Sequence, residues 1–82
     1  MNDLNKTIGK ELREIRRDSG LSRTELAAKL QLLGLDVSDC VIRHIEDGHY
    51  SMTLLFYLAV RQILKFDSNA FEEKFLLTYF QN

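Results

Sequence analysis

Apolar residues return every three to four positions along most of the chain, the period of helices with one buried face. Ile8, Leu12 and Ile15 form such a stripe in a first helix expected over roughly Asn5 to Ser19, and Gly20 stands where a helix end favours a left-handed residue. The next element carries the strongest local signal. Ser22-Arg23-Thr24-Glu25 reads as a capping box, the Ser22 hydroxyl serving the Glu25 amide and the Glu25 carboxylate serving the Ser22 amide. Leu26, Ala27 and Leu30 give this second helix its buried stripe. It is expected to fade near Leu32 or Leu33 and to break at Gly34.

Leu35-Asp36-Val37 reads as a turn. Ser38 is an N-cap for a third helix over roughly Asp39 to Asp47, with Ile42 and Ile45 inward, Val41 beside them and Gly48 as the stop. After a His49-Tyr50 loop, Ser51 is the expected cap of a fourth helix, about Met52 to Leu64. Asp67 or Ser68 would cap a fifth, about Asn69 to Phe80, where Phe71, Phe75 and Tyr79 lie four apart and Leu76 and Phe80 widen the stripe. The expectation is an all-α, five-helix, single helix-turn-helix domain over 1–82, with a core at about 5–66 and a C-terminal helix at about 69–80.

Composition agrees with this pattern. Of 82 residues, 45% are apolar and 28% charged, with no proline and four glycines. Those values suit a packed helical chain rather than a disordered or many-stranded one. The longest apolar stretch, Leu54 to Val60, is far short of the roughly 18–20 residues of a membrane span. Met1-Asn2-Asp3-Leu4 lacks the basic-then-apolar opening of a signal peptide. A single cysteine cannot form an internal disulfide, so a cytoplasmic location is expected.

Net charge is −1, where a nucleic-acid module ordinarily shows a basic excess. The charge is polarised, however. Residues 1–30 hold seven Lys/Arg against five acids, and residues 31–82 hold four against seven. A local basic face fits this distribution.

A helix, a capped helix, a turn, a short helix and a glycine, in that order, make a helix-turn-helix pattern. The text Ile8-Gly9-Lys10-Glu11-Leu12-Arg13-Glu14-Ile15-Arg16-Arg17, then Gly20-Leu21-Ser22, then Glu25-Leu26-Ala27, then Val37-Ser38, Ile42 and Ile45-Glu46-Asp47-Gly48 resembles the Cro/Xre-type phage-repressor domains. The resemblance covers about residues 5–66. It departs from the family at Arg23, usually Gln, in a turn about two residues longer over Gln31 to Asp36, and at Asp39, where Gln, Arg or Ser is more usual.

The resemblance implies a double-stranded DNA-binding, repressor-like transcription regulator whose third helix enters the major groove. Asp39, Cys40 and His44 would then face bases, Asp39 accepting from a cytosine amino group and His44 donating to guanine N7 or O6. Arg43 would reach a phosphate or a base. The amides at the start of the second helix, at Ser22, would form an anion site for a phosphate with Arg23 adding charge, and Ser38 at the start of the third helix counts among the DNA-contacting residues. The resemblance also suggests that Arg16 and Glu46 form a partly buried pair tying the first helix to the end of the third.

Plainer readings compete with some of these roles. Asp39 and Arg43, four apart, suit a surface pair as well as base reading. Cys40, His44 and His49 lack a fourth ligand and the paired spacing of a metal site, so no metal is expected. No glycine-rich phosphate loop and no nucleophile with a matched base occurs, so neither an enzyme nor a cofactor or small-molecule substrate is expected. The surplus of apolar residues on the fourth and fifth helices points to a homodimer through Leu55, Phe71, Phe75 and Tyr79. The net charge and Asp39 keep one alternative open, a protein-interaction or antitoxin-like module with weak or lost DNA binding.

Overall fold

The computed structural model describes the backbone of residues 3–80 and the side chains of residues 4–76. Among the described residues there are five helices and no strand: α1 Asp3–Asp18, α2 Arg23–Leu32, α3 Asp39–Glu46, α4 Leu54–Ile63 and α5 Ser68–Phe80. The fold is all-α, as the periodicity predicts.

Local chemistry sets most of these boundaries. At α2, Glu25 N donates to Ser22 Oγ at 3.0 Å while Ser22 N donates to Glu25 Oε1 at 2.8 Å, so both arms of the capping box are made. These bonds to Ser22, backbone first, hold the Glu25 carboxyl below its ordinary range. Ser38 Oγ accepts from Val41 N at 3.2 Å to start α3. The turn between these helices is closed by Gln31 Nε2, which donates to Val37 O at 2.8 Å. Gly34 makes the sharp reversal there at φ +95, a region that side chains with a Cβ avoid.

The fourth helix departs from expectation. Its cap is Thr53, whose Oγ1 accepts from Phe56 N at 3.1 Å, and not Ser51. The Ser51 hydroxyl is already engaged, accepting from Asn5 Nδ2 at 3.1 Å. The helix therefore begins at Leu54 rather than Met52. At α5, Asp67 Oδ1 accepts from Ala70 N at 3.0 Å and takes the capping role.

The core joins Leu12 of α1, Leu26, Ala27 and Leu30 of α2, Ile42 and Ile45 of α3, and Phe56, Ala59 and Val60 of α4, with Leu64 below them. Ile15, Leu21, Leu35, Val37, Val41 and Met52 pack around its margin. α1 lies so close on α3 that a Cβ on Gly9 would stand 2.3 Å from Ile45 O and 2.5 Å from Glu46 O. That contact fixes where α3 sits.

The aromatics at the start of α5 find their partners within the chain. Tyr57 stacks on Phe71 at 5.7 Å between ring centroids, and Phe71 meets Phe66 at 5.7 Å and Phe75 at 4.9 Å edge to face. The Tyr57 hydroxyl donates to Glu72 Oε2. Burial first, then this bond to a carboxylate, pushes the phenol up to about 12. Phe71 and Phe75 are thus half-buried parts of an internal cluster, so the dimer surface expected of them is partly used up. The Tyr79 side chain lies outside the described residues.

α4 is not covered on all sides as its composition suggests. Leu54, Leu55 and Leu58 are 73%, 65% and 43% exposed.

Candidate nucleic-acid interface

The expected link between α1 and α3 is a bidentate ion pair inside the protein. Arg16 Nε donates to Glu46 Oε2 at 2.7 Å and Arg16 Nη2 to Glu46 Oε1 at 3.2 Å, with both residues buried. Arg16 Nη1 also donates to Leu21 O at 2.8 Å, which ties the end of α1 to the approach to α2.

Two further arginines converge on the same carboxylate. Arg23 Nε donates to Glu46 Oε1 at 2.9 Å, and Arg13 Nε stands 3.5 Å from that oxygen. Arg13 Nη2 continues to Asp47 Oδ1 at 2.7 Å. Burial alone would push the Glu46 carboxyl up. The hydrogen bonds and charges of Arg16 and Arg23 outweigh burial and hold it below its ordinary range.

Arg23, expected to add charge at the start of α2, is not free there. It is half-buried and bonded to Glu46, so part of its charge is already neutralised. Arg13 and Asp47 are members that the sequence reading missed. One signal pointed to them: Arg13 lies three residues before Arg16 on one face of α1, and Asp47 follows Glu46.

Beside the network lies an open concavity of about 480 Å³ where three helices meet. Arg16 and Arg17 line it from the end of α1. Ser22, Arg23 and Thr24 come from the start of α2, and Asp39, Cys40 and Arg43 from α3. Four arginines and one acid thus share one wall system in a chain of net charge −1. The starts of α2 and α3 also point their positive dipole ends toward this region.

The structure gathers Ser22, Arg23, Asp39, Cys40 and Arg43 at this concavity and adds Arg17 and Thr24, which the sequence reading did not select. Asp39 is exposed, and its Oδ2 accepts from Thr24 Oγ1 at 3.4 Å. Cys40 is an exposed free thiol, and Arg43 Nη2 reaches back to its Sγ at 3.9 Å rather than pairing with Asp39.

Ser38 and His44 lie outside this lining. Ser38 is spent on its cap. His44 is half-buried, its ring 5.0 Å from that of Tyr50 and 5.8 Å from that of His49 between centroids, so it sits at the edge of the outward face of α3.

Among the described residues no group of three or more His, Cys, Asp and Glu could hold a metal ion, and no helix is long and apolar enough to cross a membrane. No family model, curated protein or solved structure matches this chain.

Proposed function

We propose that this chain is a sequence-specific double-stranded DNA-binding regulator, repressor-like and non-catalytic, working in the cytoplasm. The observation that carries the reading is the arginine-lined concavity at the starts of α2 and α3, beside an exposed α3 surface. A phosphate seated there meets Arg17 and Arg43 and the capped helix starts, which set position without reading sequence. α3, eight residues long, is short enough for its first turns to enter a major groove. Asp39, Cys40 and Arg43 then face base edges, with His44 at the margin. Asp39 selects a donor there, such as the cytosine amino group.

The test is binding to random duplexes across a salt series. Affinity falls steeply with salt for a DNA binder, because phosphate contacts release counterions. Arg17→Ala weakens binding to every sequence alike and lowers the salt slope by roughly one. Arg43→Ala weakens it as well. Arg23→Ala lowers the slope by less than one, since Glu46 already offsets its charge.

A second reading, a protein-interaction or antitoxin-like module, draws on the same network. Arg13, Arg16 and Arg23 are all engaged by acids of α3 or its cap, and Asp39 adds an acid to the concavity. No binding to any duplex at low salt decides for that module.

A further inference from the structure

Five arginines and three acids make up the arginine-lined concavity and the network behind it. Arg13, Arg16 and Arg23 are bonded to Glu46 or Asp47. Asp39, the third acid, is held by Thr24. Two positive charges are left over, and they belong to Arg17 and Arg43. Both line the concavity, both are exposed, and among the described residues neither forms an ion pair. They stand on different walls. Arg17 is in the last turn of α1, Arg43 is in α3, and the start of α2 completes the enclosure.

We infer that this concavity binds a small molecule carrying two linked phosphates, inorganic pyrophosphate or an ester of it, and that the ligand excludes DNA from the same arginines. The binding half needs no DNA. The exclusion half rests on the regulator reading and names how that site is switched off.

Charge and geometry select the ligand together. Two unmatched guanidiniums on separate walls call for an anion of at least two charges whose charge is divided between two groups. Linked phosphates supply this, and each offers its own oxygens to the planar fork of one arginine. Once the first phosphate is seated, the second contact forms within one complex and gains from that proximity. Arg23 adds to the same wall. It spends Nε on Glu46, and its Nη groups lie outside that bond, so they serve a ligand without undoing the network. The starts of α2 and α3 contribute their positive dipole ends. Asp39, the one acid of the lining, repels phosphate from its own rim and directs it to the arginine side.

Size agrees. A volume of about 480 Å³ lies within the roughly 300–1,000 Å³ of small-ligand sites. One backbone phosphate fills only part of it and leaves room for a second group. Arg17 and Arg43 are also the residues that meet backbone phosphate in the regulator reading. A chain that holds pyrophosphate has neither of them left for a duplex.

Calorimetric titration of the full chain at fixed ionic strength, without divalent cations, tests the binding half. Inorganic pyrophosphate is expected to occupy one site roughly tenfold more tightly than inorganic phosphate does. Arg17→Ala and Arg43→Ala, at exposed positions, are each expected to bring pyrophosphate to within about twofold of phosphate, with unchanged helical circular dichroism. Lys10→Ala removes an exposed cation of α1 outside the concavity and is expected to keep the preference. In a second arm, pyrophosphate is expected to displace a labelled duplex from the chain at the same ionic strength, and an equal concentration of phosphate is not. A pyrophosphate affinity no greater than that of phosphate overturns the inference. A preference that survives both arginine variants overturns it by placing the site elsewhere. A duplex that stays bound at saturating pyrophosphate overturns the exclusion. Pyrophosphate bound where no duplex binds at low salt upholds the site and removes the regulator reading, and a duplex bound where pyrophosphate is ignored does the reverse.

Discussion

Gly9→Ala is expected to lower the free energy of unfolding by about 3 kcal/mol, near the upper end for overpacking, and the melting temperature by roughly 15 °C. The direction is what makes the experiment informative. In a free helix the same change stabilises by about 1 kcal/mol, because alanine loses less backbone entropy. Here the added methyl would lie 2.3 Å from Ile45 O and 2.5 Å from Glu46 O, both backbone atoms that no side-chain rotation can move aside. α1 must back away from α3, and Arg16 would move with it relative to Glu46. Chemical denaturation of wild type and variant decides the point. A neutral or stabilising result would show that the two helices do not lie this close.

Glu46→Gln is expected to cost about 3 kcal/mol at neutral pH, since breaking a buried pair strands the remaining charge. Arg16, 6% exposed, would keep its charge with only neutral oxygens, the new side-chain amide and Leu21 O, to receive it. The pH dependence follows from the direction of the Glu46 shift. Its folded carboxyl titrates below the ordinary 4.5, so its contribution is fully present above about that pH. As pH falls through the folded value the contribution is lost, and wild type and Glu46→Gln converge in acid. A Glu46→Leu, Arg16→Met pair is expected to cost less than the two single changes added together, because Glu46→Leu alone strands the buried Arg16 charge and the double change does not, while Arg13 and Arg23, about a third exposed, reach solvent in either case. Strict additivity would show that the two side chains do not act as a unit.

What the sequence made legible was local. The Ser22 and Glu25 capping box, the Ser38 cap and the inward stripes of α2 and α3 depend on neighbours within one helical turn, and those appear in order along the chain. The fourth helix was misplaced by two residues because serine is by type a better cap than threonine, which favours Ser51 over Thr53. The competing bond that removes Ser51 comes from Asn5, far off in sequence. The Arg16–Glu46 pair came from the resemblance. The attachment of Arg23 to the same carboxylate requires the angle between α2 and α3, which no spacing encodes. Exposure of Leu54, Leu55 and Leu58 was hidden for a related reason: composition marks a helix as apolar but does not say how many of its sides a small fold can reach.

The arrangement around Glu46 also determines which arginine is free to leave. Arg16 occupies both carboxylate oxygens from a buried position, whereas Arg23 is a second donor to an oxygen that Arg16 already holds. Withdrawal of Arg23 therefore breaks one half-exposed bond and strands no charge, while withdrawal of Arg16 would undo the carboxylate's main support. The first behaves as a hinged arm and the second as its fixed post. An anion arriving in the concavity would compete with Glu46 for Arg23 and leave the Arg16 pair that joins α1 to α3 in place.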